Sequence, residues 1–126
     1  MELGRIGIWN SRRQGSPRVV AEIEALGFGA LWLGGSPSLE QTRPYLEAGT
    51  TLPVATGILN VWQHDPADVA RGHAELTRDF PDRFLLGIGI GHPEARSDYA
   101  RPLQTMREFL DGLDAGGVPR EQRVVA

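Results

Sequence analysis

Short apolar runs alternate with amphipathic stretches along the whole chain, each pair taking roughly 30 residues, and this rhythm restricts the fold more than any other feature. The strand-like runs are Arg5-Ile6-Gly7-Ile8-Trp9, Ala30-Leu31-Trp32-Leu33, Pro53 through Leu59, and Phe84 through Ile90. Ser16-Pro17 reads as an N-cap followed by proline in the first helical position, with Val19, Val20, Ile23 and Leu26 at helical spacing and Gly27 as the stop. Ser36-Pro37-Ser38 opens a second helix, which Pro44 is expected to kink or break. Asp65-Pro66 caps a third, with Val69, Ala70, His73, Leu76 and Phe80 on one face and Pro81 as the stop. Pro102, Leu103, Met106, Phe109, Leu110 and Leu113 mark a fourth, closed by Gly116-Gly117, and Arg123-Val124-Val125-Ala126 opens a fifth strand.

Strand–helix repeats of this length form right-handed βαβ units, so the expected class is α/β with a parallel sheet. Two closures fit. A five-stranded, doubly wound, flavodoxin-like sheet matches the 126 residues. A (β/α)8 barrel needs at least about 200, so on that reading residues 1–126 are one partial domain, four βα units and the start of a fifth strand, forming the N-terminal half of the barrel. Periodicity does not choose between them. An end inside a strand favours the half-barrel, because a parallel strand is normally followed by the helix that covers it.

Composition removes several functional classes. A net charge of −3 offers no basic surface for nucleic acid, and the Arg12, Arg13 and Arg18 cluster is offset by Glu22 and Glu24. With no cysteine there is no disulfide, thiolate nucleophile or thiolate zinc site, and the three histidines lack metal-ligand spacing, so no metal is expected. No apolar run approaches the roughly 20 residues of a membrane helix, and the first residues do not read as a signal peptide. A cytoplasmic protein is the expectation. The open sheet edges and uncovered apolar face of a half-barrel predict self-association into a homo-oligomer.

In either closure ligands collect at the carboxyl ends of parallel strands. Trp9-Asn10 ends the first, Trp32 lies near the end of the second, Asn60-Val61-Trp62-Gln63-His64 follows the third and Gly91-His92-Pro93-Glu94 the fourth. The strand before His92 carries Gly87, Gly89 and Gly91 on one face and Ile88 and Ile90 on the other, a pattern that marks close approach of a ligand or another backbone. It is not the dinucleotide fingerprint, because His92 stands where the third glycine belongs. Thr56-Gly57-Ile58 interrupts a β-branched run and reads as a bulge. The indoles of Trp9, Trp32 and Trp62 suit a substrate pocket beside a flat ligand, although indoles also plug barrel mouths. His92 with Glu94 forms a candidate acid/base pair, His64 beside Asp65 is a weaker catalytic candidate, and His73 reads as a satisfied core or boundary histidine.

Taken together, Phe80-Pro81-Asp82-Arg83-Phe84-Leu85-Leu86-Gly87-Ile88-Gly89-Ile90-Gly91-His92, Thr56-Gly57-Ile58-Leu59-Asn60 and Asp65-Pro66 resemble the luciferase-like monooxygenase family, and more narrowly its branch that uses coenzyme F420, a deazaflavin. The resemblance runs from Arg5 to the start of the fifth strand. It implies a (β/α)8 barrel with the deazaflavin in the mouth and an oxidoreductase that moves hydride between that cofactor and a small organic substrate. A flavin (FMN) monooxygenase of the same fold is the alternative, and a non-catalytic, self-associating half-barrel a further one. It also implies a non-proline cis peptide at Gly57–Ile58 and cofactor contacts from Gly57, Ile58, Leu59, Asn60, Gly89, Ile90, Gly91 and His92. The chain departs from relatives that carry a histidine or acidic residue after the second strand; here the residues are Gly34-Gly35-Ser36.

Overall fold

A computed structural model describes residues 1–11, 15–92 and 99–126. The strands are β1 (Ile8–Ser11), β2 (Leu31–Gly34), β3 (Val54–Thr56), β4 (Leu59–Asn60), β5 (Phe84–Gly89) and β6 (Arg123–Val125). The helices are α1 (Val19–Ala25), α2 (Leu39–Glu47), α3 (Pro66–Asp79) and α4 (Pro102–Ala115), and a 3-10 turn at Arg120–Gln122 leads into β6.

Every strand pairing is parallel, and the order follows the chain: β1 beside β2, β2 beside β3, β3 and β4 beside β5, and β5 beside β6. A flavodoxin-like sheet would insert the first strand between the second and third. Here Ile8 pairs with Leu31 and Leu31 with Val54, so the winding never reverses, and the doubly wound alternative is excluded. The sheet is wound as the N-terminal portion of a (β/α)8 barrel.

One face of the sheet packs against the helices. Leu31, Leu33, Val54, Phe84, Leu86 and Ile88 meet Val20, Ile23, Leu46, Leu76, Phe109 and Leu113 in one buried cluster. The expected faces of α3 and α4 hold, with Val69, Ala70, His73 and Leu76 buried on α3 and Met106, Phe109 and Leu113 on α4. Leu103 is instead 74 % exposed, one turn before the first core contact of α4.

Local chemistry moves some boundaries. β1 begins at Ile8 and not at Arg5. The Ser16 hydroxyl accepts from the Arg18 N–H at 3.2 Å, and Val19 and Val20 donate to the carbonyls three residues back, so Ser16-Pro17 builds a tight turn and regular helix starts at Val19. Pro44 does not break α2, which runs through it. Proline there removes only the bond to the carbonyl of exposed Glu40, while a capping box between Ser38 and Gln41 secures the start. Asp65 caps α3 as expected, its carboxylate accepting from the Ala67 and Asp68 N–H groups.

The expected third strand is two, β3 and β4, joined by a bulge. Ala55 pairs with Leu85 and Leu59 with Ile88, so three residues of one strand face two of the other. Across the gap the Thr56 hydroxyl donates to the Gly87 carbonyl at 2.7 Å and accepts from the Gly87 N–H at 2.9 Å, replacing the missing ladder bonds within the buried sheet.

The amino ends of the strands are tied by Glu24, on the last turn of α1. Its carboxylate accepts from the backbone N–H groups of Thr50, Thr51 and Leu52 and from both threonine hydroxyls, fixing the segment that leads into β3. Those bonds, that of the Thr51 hydroxyl foremost, hold the Glu24 pKa at about 2 against an ordinary 4.5. Arg83 completes this end by donating to the carbonyls of Leu46 and Leu52.

Candidate active site

The other face of the sheet is the inside of the barrel wall. Trp9, Trp32, Ala55 and Leu85 occupy one register row across it. Trp9 lies over Gly34, where an added Cβ would stand 2.1 Å from the indole, and its N–H donates to the Gly57 carbonyl at 2.8 Å. Gly57 also borders the Trp32 Cβ, and a Cβ on Gly7 would stand 3.3 Å from the Trp32 indole nitrogen, so glycine backbone beds both tryptophans. Trp9 remains 62 % exposed and offers an aromatic surface to whatever enters.

The alternate glycines of β5 acquire a concrete reason. A Cβ on Gly87 would come within 2.0 Å of the Thr56 carbonyl oxygen, and one on Gly89 within 2.9 Å of the Ile58 side chain. They are glycines because the bulged strand leans over them. The Gly57–Ile58 peptide within that bulge is cis, at the position the resemblance implies.

A ring of neutral hydrogen-bonding groups stands at the carboxyl ends. Ser36 adopts a left-handed conformation (φ 51°) just beyond β2; its hydroxyl accepts from the Asn60 N–H at 3.0 Å and donates to Gln63 Oε1 at 3.1 Å. Asn60 Oδ1 accepts from the Trp62 N–H at 3.0 Å. The Trp62 indole donates to the Ile90 carbonyl at 2.8 Å and its ring packs 5.5 Å from that of Tyr99. Trp62 therefore fastens the loop after β4 to the end of β5, whereas Trp9 and Trp32 share the inner floor.

The remaining candidates fall in different places. Gly57, Ile58, Leu59 and Asn60 border the bulge, and Gly89, Ile90 and Gly91 continue beside it, with His92 exposed at the rim. Glu94 lies outside the described residues. His64 sits in the helix layer, lining a cleft of about 370 Å³ between α2 and α3 with Ser38, Leu39 and Leu59. Burial lowers its pKa, and its Nε2 has no hydrogen-bond partner among the described residues. His73 is core, as expected, packed 5.7 Å from the Phe84 ring. It is not satisfied, however: its buried Nε2 likewise lacks a partner there, and burial, aided by Arg123, lowers its pKa. Ser36, Gln63 and Tyr99 were not singled out as site residues from the sequence. Their roles depend on partners 24 to 37 positions away, and no local pattern marks them.

With this geometry in place, comparison with known proteins is informative. The family model described as luciferase-like monooxygenase matches residues 11–116. No curated protein matches by sequence. Among solved structures, an F420-dependent secondary alcohol dehydrogenase in complex with an F420–acetone adduct is similar with TM-score 0.72 and 16 % identity, over 90 % of this chain and 41 % of that one. The coenzyme F420-dependent tetrahydromethanopterin reductase from Methanopyrus kandleri gives 0.68 and 17 %, over 86 % and 38 %. A type II Baeyer–Villiger monooxygenase, the oxygenating constituent of 3,6-diketocamphane monooxygenase from the CAM plasmid of Pseudomonas putida, in complex with FMN, gives 0.71 and 16 %, over 90 % and 38 %. The chain thus spans about two fifths of the length of these structures.

Proposed function

Since the chain belongs to the luciferase-like monooxygenase family, we propose that it forms the N-terminal half of a coenzyme F420-dependent oxidoreductase acting on a small organic substrate. The observation that carries this reading is the inner floor, where the Trp9 indole lies on Gly34 and Gly57 with Trp32 beside it in the register row, and neutral hydrogen-bonding groups stand at the same strand ends. A flat, uncharged surface edged by amides and a hydroxyl fits a planar heteroaromatic ring with polar edges. Two of the similar structures are F420-dependent enzymes, which supports the choice of cofactor.

When bound, coenzyme F420 supplies or accepts a hydride. The protein's own part is to hold and to shield. Gly57, Ile58 and Asn60 from the bulge, with Gly89 at the end of β5 and Ile90, Gly91 and His92 after it, would border the ring. Leu59, expected among them, is instead fully buried towards the helix layer, where it lines the same cleft as His64. Trp9 and Trp32 exclude water from its face. His92, exposed at the rim, exchanges a proton with the substrate. His64 has no part here because its cleft lies among the helices.

The FMN-containing neighbour favours a second reading, a flavin monooxygenase. Anaerobic titration of the protein with coenzyme F420 and with FMN, followed by tryptophan quenching, separates the two. Binding of F420 at least tenfold tighter than FMN is the expected result; the reverse preference replaces the first reading with the second.

A further inference from the structure

We infer that Gln63, held in place by Ser36, is a ligand-contacting hydrogen-bond donor at the barrel mouth, and that the group it recognises is a carbonyl oxygen. This rests on the reading of the mouth as a cofactor and substrate site. A serine hydroxyl has one proton. In the structure that hydroxyl accepts from the Asn60 N–H and gives its proton to Gln63, which presents its carbonyl oxygen to Ser36 and turns its NH2 away. Asn60 is oriented in the same sense: its Oδ1 is occupied by the Trp62 N–H, and its Nδ2 stands 3.0 Å from where a Cβ on Gly91 would be.

Both carboxamides therefore use their oxygens to brace the loop and keep their N–H donors for something else. Neither NH2 has a hydrogen-bond partner among the described residues. A pair of uncharged donors suits a neutral acceptor. A carboxylate or phosphate would call for a cation, and among the described residues no arginine joins Ser36, Asn60 and Gln63 in this network. The left-handed conformation of Ser36 is what brings its hydroxyl to β4, which makes Ser36 the positioning residue and Gln63 the contact. The carbonyl has two sources, the ring of the cofactor or the substrate.

The test uses the whole isotope-labelled chain and follows the side-chain NH2 signals of Gln63 and Asn60 by NMR. One arm adds 8-hydroxy-5-deazaflavin, which carries ring carbonyls; the other adds acetone. Saturable shifts of the Gln63 signals in one arm identify the source of the carbonyl. Gln63→Glu keeps the oxygen that Ser36 needs and removes the donors, so it should weaken that probe about tenfold or more. Ser36→Gly should weaken it as well and speed hydrogen exchange at the Asn60 amide. If a probe shifts the Trp9 and Trp32 indole signals yet leaves Gln63 unmoved and binds Gln63→Glu equally, this inference fails while the proposed function stands. If neither probe moves any signal, both fail.

Discussion

At the amino ends of the strands a single carboxylate, Glu24, gathers the segment before β3, whereas at the carboxyl ends the same fastening falls to the Ser36 hydroxyl and the Asn60 and Gln63 carboxamides. The first arrangement is charged and self-contained, with Arg83 closing the neighbouring carbonyls. The second is neutral and leaves the Asn60 and Gln63 N–H donors without a partner among the described residues. A charge already neutralised by five donors can only stabilise; uncommitted donors can still meet a ligand. In a barrel the amino end of the strands carries stability and the carboxyl end carries chemistry. Here that division can be read in the hydrogen-bonding groups themselves.

Gly87→Ala attacks the carboxyl-end arrangement at its base and should have the largest effect. The new methyl would meet the Thr56 carbonyl at 2.0 Å, so either the bulge or β5 must shift. A loss of about 3 kcal/mol is expected in urea denaturation, typical of overpacking against backbone. Hydrogen exchange then shows whether the two ends are separate: the Thr51 and Leu52 amides, bonded to Glu24, should keep their native-state protection in the folded variant. If they lose it with the bulge, the two ends are one cooperative unit and the contrast between them dissolves.

Thr56→Val should come next, costing about 2 kcal/mol. It leaves the shape intact but strands the Gly87 N–H and carbonyl in a fully buried place. Double-mutant analysis with Gly87→Ala should be strongly non-additive, since both act on one contact.

Glu24→Gln tests the charged end through pH. The wild-type carboxyl is depressed to about 2 from an ordinary 4.5, so the unfolded chain binds the proton first on acidification. Its contribution is complete above about pH 4.5 and is lost as pH falls towards about 2. Thermal melts of the wild type should therefore steepen in that window, and those of Glu24→Gln, less stable at neutral pH, should flatten there. His73 acts at milder acidity: its pKa lies below the ordinary 6.5, so stability should begin to fall once pH drops beneath that value. His73→Gln should reduce that earlier slope, leaving the share due to the similarly depressed His64, without altering the lower one.

Legibility from the sequence differed between these regions for a physical reason. The Asp65 cap, the glycine strand, the Thr56-Gly57-Ile58 bulge and most of each helix face depend on neighbours within one turn or one pleat and were readable. Leu26 and Leu103, expected on the faces of α1 and α4, are exposed at the helix ends. The parallel βα class needed only the repeat and its handedness, whereas the doubly wound alternative is excluded by the direct pairing of β2 with β3, which no local pattern announces. Glu24 was read as a counter-charge to nearby arginines, because its real partners are 26 to 28 residues on. Ser36 and Gln63 were equally hidden: 27 residues separate them, and neither type is unusual in a loop. The start of α1 was misplaced because Ser16 caps a turn as readily as a helix.

Ser36→Gly should have the smallest effect on stability and is the sharpest probe of the neutral end. Removing the hydroxyl costs a hydrogen bond to the Asn60 N–H, about 1 kcal/mol for an ordinary bond. Glycine, however, is at ease at φ 51°, where a serine carries about 1–2 kcal/mol of conformational penalty. The two terms oppose each other, and the midpoint of urea unfolding should change little. Ser36→Ala loses the same bond without relieving the backbone, so it should be less stable than Ser36→Gly by roughly 1 kcal/mol. Equal stability of the two variants would mean that Ser36 bears no backbone penalty. A large loss in Ser36→Gly would show that the carboxyl end, like the Glu24 end, is held chiefly for stability.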